Sequence, residues 1–158
     1  MTEKETTEQV IIALRKIMRA LDLNSKQLVK RVGLTGPQLA ILIEVSKHSE
    51  ISVGKLAEKV SLSQGTVTSI LERLEKKGLV ARIRNGIDKR KVMVSNTETG
   101  SLLLSKAPPL MQESFVIRLE SLEEWERLMI LSGLTRLVSL LNAHNIKVAP
   151  FLEEDHKI

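Results

Sequence analysis

Residues 51–96 constrain this chain more than any other stretch. "VGKLAEKV", residues 53–60, has the spacing of a short helix, and "SLS" reads as a turn. "QGTVTSILERLEKKG" then reads as a longer helix, capped by Ser63, running through Lys77 and stopped at Gly78. Two helices joined by a three-residue turn form a helix-turn-helix candidate. The crossing needs a small residue, met by Ala57, and apolar neighbours, met by Leu56, Val60, Val67, Ile70 and Leu71. Gln64, Gly65, Thr66, Thr68, Ser69, Glu72 and Arg73 are left pointing outward. These side chains are short and polar near the N-terminus, so the helix can approach base edges. Glutamine addresses adenine, Ser and Thr address base edges or phosphates, and the helix start offers free N–H groups. Two ordinary core helices with a polar outer face would show the same pattern, so the next segment matters.

That segment is "LVARIRNGIDKRKVMVSN", residues 79–96. It reads as two short β-runs joined by a turn that carries Asn85-Gly86, Asp88, Lys89, Arg90 and Lys91. A helix-turn-helix followed directly by such a hairpin is the winged-helix arrangement. A basic hairpin tip beside the second helix can reach the adjacent minor groove, where arginine is favoured if the groove is narrow. The charge distribution agrees. Net charge is +5, and residues 54–91 hold ten of the 24 Lys/Arg but only four of the 19 Asp/Glu. One quarter of the chain therefore carries the positive excess, which points to a polyanionic partner.

The rest of the chain predicts helices. Aromatic residues make up 2%, so the core is Leu, Ile, Val and Met, which suits helices better than a β-sandwich. Val10, Leu14, Ile17, Met18 and Leu21 predict an amphipathic helix over 5–22, interrupted by "DLNSK". Thr35 with Gln38 fits a capping box, Pro37 suits a first turn, and that helix should reach about Lys47. Ile51-Ser52 reads as a short extended piece, with Ser52 as the next N-cap. Thr97 caps a further helical region, which Pro108-Pro109 must break. Ser121 with Glu124 suggests a second capping box, opening a final helix over 122–143. The apolar positions Val10, Leu14, Ile17, Leu21, Leu128, Leu131, Leu134, Val138 and Leu141 exceed what one small core can cover, so a homodimer is expected.

Several pieces together resemble the MarR-type winged-helix transcriptional regulators: "LTGPQLAIL", "ISVGKLAEKVSLSQGTVTSILERLEKKGLVAR", "DKRKVMVS" and "TETG". The resemblance implies a mainly α fold with a small β-hairpin wing: a winged helix-turn-helix on a helical dimerisation platform. Residues 1–158 would form one unit, with 1–33 and 99–150 as dimerisation helices and 34–98 as the DNA-binding lobe. It implies a homodimer on double-stranded DNA at an inverted-repeat operator, Arg90 in the minor groove and Asp88 as its organiser. The candidate DNA-binding set is Ser63, Gln64, Thr66, Thr68, Ser69, Arg73, Arg84, Asp88, Lys89, Arg90 and Lys91. "ALDLNSKQLVKRVGLTGPQ" and "LLNAHNIKVAPFL" further resemble a subgroup that controls compatible-solute genes under osmotic stress.

Other chemistries find little support. The chain has no cysteine, which excludes disulfides, thiolate metal sites and a thiol switch. His48, His144 and His156 are scattered, so no metal site is expected. The acidic run Glu120, Glu123, Glu124 and Glu126 reads as a solvated helix start. Trp125 is expected to pack against the first helix of the platform. Catalytic pairs and Gly-rich phosphate loops are not seen, so no enzyme activity and no cofactor are expected. There is no apolar run of membrane length, and "MTEKETTEQ" is too polar for a signal peptide; the expected compartment is the cytoplasm. A small-molecule effector between lobe and platform, such as an aromatic acid, and a direct response to ionic conditions both remain open. A winged-helix module that binds protein is the alternative from another class.

Overall fold

The computed structural model describes residues 2–84, 92–146 and Leu152. Its first element, α1 (Glu3–Val32), is one continuous helix of 30 residues. The break expected at "DLNSK" does not occur. The stretch has no Gly or Pro, and Asp22 pairs with Arg19 at 2.8 Å and Lys26 at 2.9 Å along the same face. Thr2 opens α1 with a capping box to Glu5, and Gly33 closes it at φ 69°, a conformation that glycine adopts without strain.

The lobe then follows the expected order. Helix α2 (Gly36–Ser46) starts from the Thr35–Gln38 capping box. Strand β1 (Ile51–Ser52) leads into α3 (Val53–Lys59), where Ser52 Oγ accepts from the Lys55 N–H. Helix α4 (Gln64–Lys76) starts from the Ser63 cap, and Gly78 takes φ 70° just beyond it. Strands β2 (Val80–Arg84) and β3 (Val92–Asn96) pair antiparallel, with Arg82 opposite Val94. The extended piece at 51–52 is a third strand, because Ile51 pairs with Val94. The sheet order is β1-β3-β2, so β3 is central and ties the start of α3 to the hairpin.

Helix α5 (Glu98–Lys106) is capped by Thr97 and ends before Pro108-Pro109, as the prolines require. Helix α6 (Met111–Glu120) follows, and then α7 (Glu124–Leu140). The start of α7 differs from expectation. Its capping box is Glu123–Glu126, not Ser121–Glu124, and it ends three residues early. Ser121 instead ends α6, its hydroxyl donating to the Arg118 carbonyl at 2.7 Å.

The core belongs to the lobe. Leu34, Leu39, Ile41, Leu42, Val45, Leu56, Val67, Leu71, Leu74 and Val94 are fully buried, and Ala57 sits at the α3–α4 crossing as required. Truncating one such leucine to alanine costs about 2–5 kcal/mol. The outer helices are different. Neither α6 nor α7 has a buried residue, and α1 has only Ser25 and Leu28. Trp125 is 63% exposed in the single chain.

Candidate nucleic-acid interface

The two faces of α4 divide as its sequence requires. Val67, Ile70, Leu71 and Leu74 are buried, while Ser63, Gln64, Thr66, Ser69 and Arg73 are exposed and Thr68 is half-buried. Some of these polar groups are already engaged. Ser63 Oγ accepts from the Thr66 N–H at 3.1 Å and lies 2.8 Å from Thr66 Oγ1. Thr68 Oγ1 donates to the Gln64 carbonyl at 2.8 Å. This bond fixes the rotamer of Thr68. The Gln64 amide nitrogen lies 3.2 Å from the place a Cβ on Gly54 would occupy, so the start of α3 leaves room for this side chain.

Arg84 ends β2. Asp88, Lys89, Arg90 and Lys91 of the hairpin turn lie outside the described residues. The lobe thus brings the outward face of α4 and the two strands of the hairpin into one compact unit. The basic residues of this quarter are not equivalent. Arg82 Nε donates to Glu75 Oε2 at 2.7 Å, one of its terminal nitrogens pairs with the same oxygen, and Glu72 stands 3.9 Å away. By composition Arg82 is one positive charge among the ten of residues 54–91. Its partners on α4 set it apart, and only a β2–α4 register could have revealed them.

A groove of about 650 Å³ lies where α2 and α3 meet α6. Ile43, Val60, Leu110 and Ile117 give it apolar walls, and Glu44, Lys47, Lys59 and Glu113 supply charge. Glu44 is the most engaged of these. Its carboxylate accepts from Lys47 Nζ at 2.8 Å, lies 3.2 Å from His48 Nε2, and has Lys59 Nζ at 3.6 Å. The Lys47 hydrogen bond holds its pKa below the ordinary glutamate value. Partial burial opposes that shift, and His48 and the lysine charges reinforce it. Among the described residues no group of three or more His, Cys, Asp or Glu could hold a metal, and no helix is long and apolar enough to cross a membrane.

Comparison with known proteins places this geometry. The MarR family model matches residues 34–92. The HTH-type transcriptional repressor NicR of Pseudomonas putida is 31% identical over 137 residues, 87% of each chain. The organic hydroperoxide resistance transcriptional regulator of Bacillus subtilis is 35% identical over 99 residues, 63% of this chain and 67% of that one. Staphylococcus aureus MepR, solved in complex with DNA, has a TM-score of 0.60 over 82% of this chain and 96% of its own. At 21% identity, that last likeness concerns the fold alone.

Proposed function

The chain belongs to the MarR family of DNA-binding transcriptional regulators, and from that premise we propose that it is a homodimeric repressor acting at an inverted-repeat operator. The observation that carries this reading is the division of α4, with an apolar face locked into the core and a short polar face open to a base edge. Gln64, Thr66, Thr68 and Ser69 would read bases, and Ser63, Arg73 and Arg84 would meet phosphates. Arg90 would enter the minor groove, ordered by Asp88, with Lys89 and Lys91 beside it on the backbone. NicR, a repressor by name, supports the sign of regulation.

The dimer would form through residues 1–33 and 99–150, leaving 34–98 as the DNA-binding lobe. Support comes from α7 and its C-cap, where Leu128, Leu131, Leu134, Val138 and Leu141 are 42–65% exposed in a single chain. An apolar row of this length is expected to be covered.

For the signal, the resemblance of the two terminal segments supports control of compatible-solute genes, with ionic strength acting on phosphate contacts through counterion release. The groove beside α6 favours a second reading, in which a small aromatic acid sits between lobe and platform and changes the spacing of the two lobes. Duplex DNA affinity over a salt series tests both. A steep loss with rising salt is expected of the ionic route and a flat response excludes it. A saturable loss on adding an aromatic acid at fixed salt supports the groove. Failure to bind duplex DNA at any salt removes the reading as a whole and leaves a protein-binding role.

A further inference from the structure

We propose that Arg82 is a positioning residue, which sets the hairpin against α4 and acts on DNA affinity only through the hairpin. The proposal rests on the reading of α4 and the wing as the DNA-binding surface.

The geometry starts from spacing. Glu72 and Glu75 stand three residues apart on α4, which places them on one side of the helix. Arg82 lies in the middle of β2, paired with Val94 on the central strand. Its guanidinium reaches Glu75 through two nitrogens and lies near Glu72. A guanidinium is planar and presents its donors as a rigid fork, so it fixes direction as well as distance. The Arg82 side chain is 25% exposed and that of Glu75 38%, so the pair is partly sheltered and partly screened by solvent.

Two consequences follow. First, Arg82 is spent inside the lobe. Its charge faces two carboxylates of α4, which offset it. Second, β2 and β3 lead into and out of residues 85–91, so a change in the tilt of β2 is carried to the segment that holds Asp88 and Arg90. Backbone pairing to β3 fixes β2 within the sheet, but not the sheet against α4. Buried Leu79, Val80 and Val94 hold the sheet to the core from the inside, and the Arg82–Glu75 pair adds a second restraint from α4 at the partly exposed edge.

The sign of one substitution separates this role from a diffuse field. Glu75→Gln removes a negative charge beside the proposed DNA surface, so a field model predicts tighter binding. Loss of positioning predicts weaker binding, in the same direction as Arg82→Gln. A cycle with Arg90→Ala then tests the route. If Arg82 acts through the hairpin, its effect largely vanishes once Arg90 is truncated.

The experiment uses a duplex selected from a randomised pool by the unaltered full-length chain, with thermal unfolding of each variant as a fold check. Glu75→Gln and Arg82→Gln are each expected to bind roughly fivefold to tenfold more weakly. Arg82→Gln is expected to change affinity less than about twofold in the Arg90→Ala background. Arg82→Lys keeps the charge without the fork and should fall between, which provides the reading if Arg82→Gln unfolds. Tighter binding by Glu75→Gln, or additive losses from Arg82→Gln and Arg90→Ala, would overturn the proposal. Selection of no duplex by the unaltered chain would overturn the DNA-binding reading itself, and this inference with it.

Discussion

Lys77 Nζ, just beyond the end of α4, donates to the Gly33 carbonyl that closes α1. The two residues lie 44 positions apart, and the bond ties the end of α4 to the end of α1. An ammonium at a helix C-terminus also meets the negative end of its dipole. Lys77→Met should therefore lower stability by about 0.5–1.5 kcal/mol, seen as a lower urea midpoint with unchanged slope. An unmoved midpoint would show that water replaces the ammonium at no cost.

A tighter joint lies at the start of α5. Thr97 Oγ1 donates to the Gly78 carbonyl at 2.7 Å and accepts from the Gly100 N–H at 3.0 Å. A Cβ on Gly100 would meet the Leu79 carbonyl oxygen at 2.3 Å and Asn96 Oδ1 at 2.2 Å. The Leu79 oxygen is backbone and cannot swing aside. Gly100→Ala should destabilise by about 2 kcal/mol or more, measured by chemical denaturation. A neutral outcome would mean that α5 shifts freely on the lobe.

The outer helices carry the dimer prediction. Leu131, 61% exposed in one chain, belongs to the apolar row of α7. Leu131→Glu should convert a dimer into a monomer in light scattering at micromolar concentration, since an unpaired charge in an apolar interface costs several kcal/mol. Trp125 gives a second readout, because its emission should shift to the red if dissociation exposes it. A stable monomer for the unaltered chain would sink the platform reading.

Glu44 predicts a pH effect. Its folded pKa is lowered, first by the Lys47 hydrogen bond, from a reference of 4.5. The pair therefore adds stability that is fully present above that reference and is lost as pH falls through the lower folded value. Glu44→Gln should reduce the fall in thermal midpoint between neutral pH and about pH 3. An identical acid limb in both proteins would assign that fall to other carboxylates.

Much of this architecture is legible before any coordinates. The α2–α4 boundaries follow from local chemistry: the Thr35 box, the Ser52 and Ser63 caps and the stop at Gly78 each act within one turn of the chain. The paired strands β2 and β3 follow from the two short β-runs on either side of residues 85–91. Errors arise where several local solutions compete. Four acidic residues between 120 and 126 offer alternative caps, and Glu123 prevails over Ser121. "DLNSK" contains poor helix formers, yet Asp22 finds two cations on its own helix and the helix continues. Long-range partners are invisible to pattern. The pairing of Ile51 with Val94, the Lys77–Gly33 bond and the Arg82–Glu75 pair all join segments whose spacing in sequence carries no signal.

The proposed contact with DNA places Gln64, at the start of α4, against a base edge. The measurement is duplex selection from a randomised pool by the unaltered chain and by Gln64→Ala, compared position by position. The unaltered chain should enrich an inverted repeat whose half-sites lie about one helical turn apart, roughly 34 Å. Gln64→Ala should relax one position in each half-site and leave the remainder intact. Enrichment of no repeat, or a loss of affinity spread uniformly over all sequences, would contradict the assignment of α4 as the sequence-reading helix.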